Sequence, residues 1–143
     1  MSSLEKTYKA LPLSQRMELA LSMALPDAYR PLMLEEQWMH VKCYFARRMD
    51  LRPGEITALL DDPDHVIRLC IAKRRDLSPE QVDRCVSDPD PNVRYFVARN
   101  PLLTGHQRER LLGDEDPLVR QAARKGPRPA RTRQRPGQAE LVR

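Results

Sequence analysis

One interval of 26 residues recurs along this 143-residue chain without a gap. Arg68, Arg94 and Arg120 are separated by it, and each follows an isoleucine or a valine. An aspartate six residues before each arginine keeps the same spacing. A period of ~20–50 residues is typical of repeat architectures, in which each unit buries its apolar face against its neighbours. The chain is therefore predicted to form a repeat array.

Within one interval the sequence predicts two short antiparallel helices. Ser78 followed by Pro79 is a favourable helix start, with a capping serine and a proline at the first helical position. The turn at 88–91 precedes a second helix over 92–99, capped by Asp90 or Asn92. Because no sustained alternation of apolar and polar residues is found, no strand is predicted. The predicted fold is an all-α, right-handed α-solenoid of about four such repeats, its handedness taken from the family resemblance given below.

Composition divides the chain into three predicted parts. Residues 1–25 form an N-terminal helical cap, residues 26–125 form the repeats, and residues 126–143 form a basic tail. The tail holds three prolines, two glycines and five arginines with little apolar content, so it is predicted to be disordered. The net charge of +5 is carried by residues 125–143, because the first 124 residues carry equal numbers of acidic and basic side chains. The high isoelectric point thus says nothing about the folded body.

The cysteines and the lengths of the apolar runs indicate the cellular compartment of the protein. Cys43, Cys70 and Cys85 form no CxxC pair, and the repeat interval places Cys70 and Cys85 at apolar positions. Buried reduced thiols are therefore expected, which implies a reducing compartment. The N-terminus lacks the pattern of a signal peptide, and no apolar run approaches the ~18 residues of a membrane span. A cytoplasmic protein is predicted.

The recurring residues of the second helix separate into buried and exposed positions. With Val93 facing the core, steps of ~100° place Phe96, Val97 and Asn100 on the same side. Arg94 lies at the flank, near an aspartate. The spacing predicts a structural ladder of ion pairs that ties neighbouring units together: Asp62 with Arg68, Asp88 with Arg94, and Asp114 with Arg120.

The positions opposite the core are candidates for binding a partner. Two positions one helical turn apart share the exposed face, and the second of them is basic in every unit. This pattern is consistent with a binding ridge or with a solvated cationic face near the helix C-termini. The candidate partner-binding residues are Arg47, Leu69, Lys73, Tyr95, Arg99, Gln121 and Lys125. The basic tail is either a segment that binds phosphates non-specifically or a solubilising or accidental extension.

The residues 77–101 carry a family resemblance. Their pattern, Leu-x-Pro-Glu-x-Val followed by Asp-Pro-Asp-x-x-Val-Arg-x-x-Val-Ala-x-Asn-Pro, resembles the leucine-rich repeat variant (LRV) family and, more broadly, short HEAT-like repeats. The resemblance covers roughly residues 25–127. It implies a right-handed superhelix that serves as a binding scaffold. Some LRV proteins hold an iron–sulphur cluster on N-terminal cysteines, but this chain has no cysteine before Cys43, so that cofactor is not carried over.

Catalytic and metal sites are not predicted. His40 and Cys43 are one turn apart, yet a third ligand or an orienting residue is lacking. HEAT-like DNA glycosylases need aromatic surfaces, which Trp38 alone meets poorly. The leading hypothesis is a non-enzymatic scaffold without cofactor or metal that offers the second-helix (concave) face to an acidic or amphipathic protein. The alternative is a nucleic-acid-binding protein that uses the basic ridge and the arginine-rich tail. No membrane contact is expected.

Overall fold

The computed structural model describes residues 2–129, and this part of the chain is all-α, with no strand. None of its helices is long and apolar enough to cross a membrane. The helices are α1 (Ser3–Ala10), α2 (Leu13–Leu21), a short 3-10 helix (Asp27–Tyr29), α3 (Arg30–Leu34), α4 (Met39–Ala46), α5 (Pro53–Leu60), α6 (His65–Ala72), α7 (Pro79–Val86), α8 (Pro91–Ala98), α9 (Gly105–Leu112) and α10 (Pro117–Lys125).

Aspartates start the later second helices. The carboxylates of Asp64, Asp90 and Asp116 accept hydrogen bonds from the backbone amide two residues on, at 2.9, 2.8 and 2.8 Å. Such a cap satisfies one of the amides that the first turn of a helix leaves without a partner. Asp90, rather than Asn92, is thus the cap of α8, which begins one residue earlier than predicted.

The first helices α7 and α9 start with complete capping boxes. The Ser78 hydroxyl accepts from the amide of Gln81, whose side chain in turn accepts from the amide of Ser78. Thr104 and Gln107 repeat this reciprocal pair. Each helix is only eight residues long, so its ends account for much of its backbone hydrogen bonding and need these caps.

The described residues fall into two compact units, residues 2–55 and residues 56–129, which divide within α5. In the first unit, α2 and α3 pack against α4. Its core includes Tyr8, Ala20, Met33, Val41 and Phe45, all nearly inaccessible to solvent. The boundary predicted at residues 25 and 26 divides the chain by sequence pattern rather than by compactness, and it stays a prediction.

In the second unit each later second helix packs against the next: α6 against α8, and α8 against α10. The first helices α7 and α9 pack against α8 and α10, respectively. The core positions recur at the 26-residue interval and are fully buried: Ile67 and Ile71 on α6, Val93 and Val97 on α8, and Val119 and Ala123 on α10. Asn100 is also buried, as predicted, whereas Phe96 is half-buried rather than in the core.

Helix α2 follows the same register as the later second helices. Ala20 lies one interval before Ala46, and both are fully buried, as Ala72 and Ala98 are in the second unit. Alanine at this position leaves room for close approach of the neighbouring helix. The segment predicted as a cap therefore contains a helix that is in register with the repeats.

The three cysteines carry thiols and differ in burial. Cys85 on α7 is fully buried, and burial, with a smaller effect of the nearby Asp88 carboxylate, raises its pKa to about 12. It is therefore a packed, unreactive thiol. Cys43 and Cys70 are half-buried, so the expectation of complete burial is met at Cys85 alone.

Candidate interaction surfaces

Two arginines in the second unit make the same set of hydrogen bonds. The Nε and Nη2 of Arg68 donate to the two carboxylate oxygens of Asp88 at 2.8 and 3.1 Å, while its Nη1 donates to the carbonyl of Asp62 at 2.9 Å. Arg94 repeats this with Asp114, at 2.8 and 3.2 Å, and with the carbonyl of Asp88 at 2.7 Å. Each guanidinium therefore joins two successive turns.

This geometry corrects the predicted pairing within the ladder. Asp62 with Arg68 and Asp88 with Arg94 are wrong as carboxylate pairs, because each arginine binds the carboxylate of the following turn and the carbonyl of the preceding one. Arg120 likewise donates its Nη1 to the carbonyl of Asp114, at 2.6 Å. One oxygen of Asp88 accepts from the Asp90 amide, which holds that carboxylate in place for its arginine.

Burial makes these pairs important for stability. The side chains of Arg94 and Asp114 are 10% and 9% exposed, and the hydrogen bond to Asp114 raises the pKa of Arg94 although burial opposes the shift. Removing one member of a buried pair leaves the other charged and without its partner. The Arg68–Asp88 and Arg94–Asp114 pairs are therefore structural features rather than a surface available to ligands.

Arg94→Ala is expected to lower the free energy of unfolding by roughly 1–3 kcal/mol, because Asp114 and the carbonyl of Asp88 lose their donor. Urea denaturation followed by circular dichroism measures the effect. Arg124→Ala, at an exposed position on α10, is the matched control and is expected to change stability by less than about 0.5 kcal/mol. Equal stability of the two variants would contradict the role assigned to Arg94.

The second unit brings six of the seven predicted partner-binding residues onto one stripe. We define the second-helix stripe as the solvent-facing positions of α6, α8 and α10 at the predicted spacing: Leu69, Lys73, Tyr95, Arg99, Gln121 and Lys125. The four on α6 and α8 are half-buried, and the two on α10 are exposed. Leu118, one turn before Gln121, is 62% exposed and extends the stripe with apolar surface. Arg47, the seventh residue, lies in the first unit at the end of α4, half-buried.

Phe96 lies beside the stripe at the centre of an aromatic and cationic cluster. The Lys73 ammonium is 4.3 Å from the centroid of the Phe96 ring, and the Arg128 guanidinium is 5.6 Å from it. Tyr95 meets the same ring edge-on, with 5.2 Å between centroids. Cations over an aromatic face are attracted by its quadrupole. This explains why Phe96 is at the surface rather than in the core.

The beginning of the predicted tail lies against the ends of α6 and α8. The Arg128 amide donates to the carbonyl of Arg99 at 2.8 Å, and Arg75 donates to the carbonyl of Arg128 at 2.9 Å. Gly126 allows the chain to turn there, with φ +78°. Gly126 and Arg128 are thus held by hydrogen bonds to α10, to Arg99 and to Arg75. The prediction of disorder for residues 130–143 falls outside the described part of the chain.

The two edges of the stripe carry opposite charge. Its N-terminal edge holds the capping aspartates Asp64, Asp90 and Asp116. Its C-terminal edge holds Lys73, Arg75, Arg99, Lys125 and Arg128. At 1.5 Å per residue the edges are ~13 Å apart. The second unit therefore presents apolar side chains between an acidic and a basic row.

The first unit holds a buried ion pair that sequence reasoning missed. Glu36 accepts from the Tyr8 hydroxyl at 2.6 Å and from Arg16 at 3.1 and 3.2 Å. The Arg16 guanidinium lies 4.8 Å from the Tyr8 ring centroid and 4.3 Å from that of Trp38. These residues line a cleft of ≈ 570 Å³. Arg16 lies two intervals before Arg68, and Glu36 two intervals before Asp88, so the register contained the signal.

A second feature, predicted only at Asn100, is a buried polar residue just after α4, α6 and α8. Arg48, Arg74 and Asn100 share one repeat position and are 0%, 2% and 3% exposed. Arg48 donates to the carbonyl of Ala20 at 2.8 Å, and Asn100 donates to the carbonyls of Ala72 and Arg74 at 2.9 and 2.7 Å. Arg48 and Asn100 thereby satisfy carbonyls at the C-terminal ends of α2 and α6, respectively.

Among residues 2–129, no three His, Cys, Asp or Glu side chains gather as ligands for a metal ion. His40, His65 and His106 lie on α4, α6 and α9. No family model matches the chain, and neither the curated proteins nor the solved structures provided a match. Function is therefore argued from the surfaces of the molecule itself.

Proposed function

We propose that the chain is a right-handed solenoid of 26-residue, two-helix repeats that acts as a non-enzymatic protein-binding scaffold in the cytoplasm. The recurrence of core, cap and ladder positions at one interval supports the solenoid, as does the packing of α6, α8 and α10 on one another. The resemblance of residues 77–101 to LRV and HEAT-like repeats supports its handedness and its use as a scaffold. The three thiols fit a reducing compartment.

The observation that carries the binding role is the apolar content of the second-helix stripe. Leu118 is 62% exposed, and Leu69 and Tyr95 are half-buried beside it. Leu118 is not part of the core formed by residues 2–129, so packing of the fold does not account for an apolar side chain at this position. Tyrosine is enriched at protein interfaces, which have an apolar centre and a polar rim. The stripe therefore fits a partner segment better than a small molecule.

The charge pattern defines the chemistry of that partner. An amphipathic helix would place its apolar face on Leu69, Tyr95 and Leu118, and its acidic side chains toward the basic edge. The acidic edge would disfavour a uniformly acidic partner and would fix the orientation of the helix. We therefore infer an amphipathic, acidic protein segment with a minority of basic residues.

Nucleic acid is the second candidate, favoured by one observation. Arg75, Arg99 and Arg128 meet at the ends of α6 and α8, where the Arg128 guanidinium lies 5.6 Å from the centroid of the Phe96 ring. Cations next to aromatic rings are a common feature of single-strand binding sites. The acidic edge ~13 Å away opposes a polyanion, so this candidate ranks second.

Fluorescence anisotropy distinguishes the two. A labelled, amphipathic acidic helical peptide and labelled single-stranded DNA, duplex DNA and RNA are titrated with the full chain over a salt series. We expect the peptide to bind the wild type. We expect Leu118→Asp to lower the affinity for the peptide at least tenfold, which corresponds to about 1.4 kcal/mol. Leu102→Asp, at an exposed leucine in the turn after α8, is the matched control and is expected to bind as the wild type does.

Other outcomes decide against the protein partner. Binding of nucleic acid alone, with an affinity that falls log-linearly with salt at a slope of ~0.9 per duplex contact, would support the second candidate. Arg99→Glu should abolish that binding. A peptide that binds Leu118→Asp as tightly as the wild type would show that the stripe is not the interface.

A further inference from the structure

Arg120 occupies the ladder position on α10, the last helix of the described chain. Its Nη1 donates to the carbonyl of Asp114 at 2.6 Å, as the Nη1 of Arg68 and Arg94 donate to the equivalent carbonyls. In those two arginines, Nε and Nη2 hold the carboxylate of the next turn. The Nε and Nη2 donors of Arg120 have no carboxylate acceptor within residues 2–129.

The surroundings of Arg120 favour an anion. Arg124 lies one turn further along α10 and is exposed, and Arg108 donates to the carbonyl of Ala123 at 2.8 Å. Arg120 and Arg124 therefore lie one turn apart on α10, and Arg108 adds a third guanidinium that bonds the same helix. Because Nη1 fixes the plane of the Arg120 guanidinium, binding a carboxylate there costs little additional side-chain entropy.

We propose that this end of α10 is a docking site for a carboxylate on an Asp-x-Asp-Pro turn of another protein. The turns that Arg68 and Arg94 bind have this form, and their first aspartate accepts from the amide two residues on, at 2.8 and 2.9 Å. A partner with such a turn, followed by a helix, reproduces the contact that the ladder makes twice. The site is separate from the second-helix stripe and does not depend on its function.

A second copy of this chain does not fit the site by its first repeat. The acid positions of the register are Glu36, Asp62, Asp88 and Asp114, and one interval before Glu36 the chain has Ala10. The first helices therefore offer no carboxylate in this register. Complementarity thus favours a different protein over head-to-tail association of the chain.

The test uses a fluorescein-labelled peptide with the sequence of residues 86–101, which contains Asp88 and its turn. Full-length protein is titrated into it and anisotropy is measured. We expect saturable binding, at least tenfold weaker for Arg120→Ala and for a peptide with Asp88→Asn. Arg120→Lys should lose most of the affinity, because it keeps the charge but not the fork. Lys6→Ala, at an exposed position on α1, is the matched control and should bind within a factor of three of the wild type.

Several results would overturn the proposal. One is equal affinity of the protein for the two peptides, and another is equal affinity of Arg120→Ala and the wild type. A third is a titration that does not saturate at ~1 mM protein, because a Kd of that size corresponds to a binding free energy of only about −4 kcal/mol. Glu140 follows Arg120 by 20 residues, as Asp114 follows Arg94, so Glu140→Gln is tested as well. Unchanged affinity in that variant is expected, whereas a tenfold gain would assign the fork to the chain's own carboxylate.

Discussion

Arg48→Ala is expected to lower the free energy of unfolding by about 3–5 kcal/mol, the largest effect of any single substitution considered. Arg48 has no solvent exposure, and it donates to the carbonyl of Ala20 at 2.8 Å and to both carboxylate oxygens of Asp50 at 2.8 and 2.9 Å. Its loss leaves that carbonyl buried without a donor and opens a cavity of several methylene groups. Urea denaturation monitored by circular dichroism measures the change.

Two further variants separate the causes. Arg47→Ala, at the adjacent half-buried residue, is expected to change stability by less than about 0.5 kcal/mol. Arg48→Met restores most of the volume but not the donors, so it should recover part of the loss and remain roughly 1–3 kcal/mol below the wild type. A fully stable Arg48→Met protein would show that packing, not hydrogen bonding, is what Arg48 contributes.

The bounds of the later helices were predicted to within one residue at α8, because capping residues close in sequence determine where these helices start. Ser78 with Pro79 and Gln81 specifies the start of α7, and the turn at 88–91 specifies the start of α8. The single-residue difference at α8 arose because two residues, Asp90 and Asn92, were both suitable caps. Capping depends on neighbours two or three residues apart, so the sequence alone contains most of this information.

The partner of each ladder arginine could not be read in the same way. Arg94 has an aspartate six residues before it and another 20 residues after it, and the sequence spacing favoured the nearer one. The choice depends on how α8 packs against α10, since that packing brings the carboxylate of Asp114 to the guanidinium. The register repeats both spacings equally and therefore cannot distinguish them.

Two buried polar residues, Arg48 and Arg74, were missed because of their side-chain type. Arg48, Arg74 and Asn100 share a position but not a side-chain type, and charged residues are rarely fully buried, so Arg48 and Arg74 were not counted with the core. Six of the seven predicted binding positions lie on the stripe, yet what the stripe binds depends on a molecule outside the chain. That part of the function is open to experiment rather than to sequence reasoning.

Glu36→Gln is expected to destabilise the protein by about 3 kcal/mol at pH 7. The Glu36 side chain is 3% exposed, and it is the acceptor for the Tyr8 hydroxyl, Arg16 and the amides of Gln37 and Trp38. The glutamine side chain of the variant is neutral, so Arg16 stays charged and buried without a counterion. Glu35→Gln, at the exposed neighbour, is the control and should be nearly neutral. Urea denaturation gives both values.

The pH dependence of this difference tests its electrostatic origin. Burial by itself would raise the pKa of Glu36, but the hydrogen bonds from Tyr8, the Trp38 amide and Arg16 hold it below its usual range. The carboxylate then stabilises the folded state fully above the unfolded pKa of ~4.3, and this stabilisation is lost as the pH falls through the folded pKa. The wild type and Glu36→Gln should therefore approach each other in stability below about pH 4. A gap that stays constant from pH 7 to pH 3 would mean that shape, rather than charge, makes Glu36 necessary.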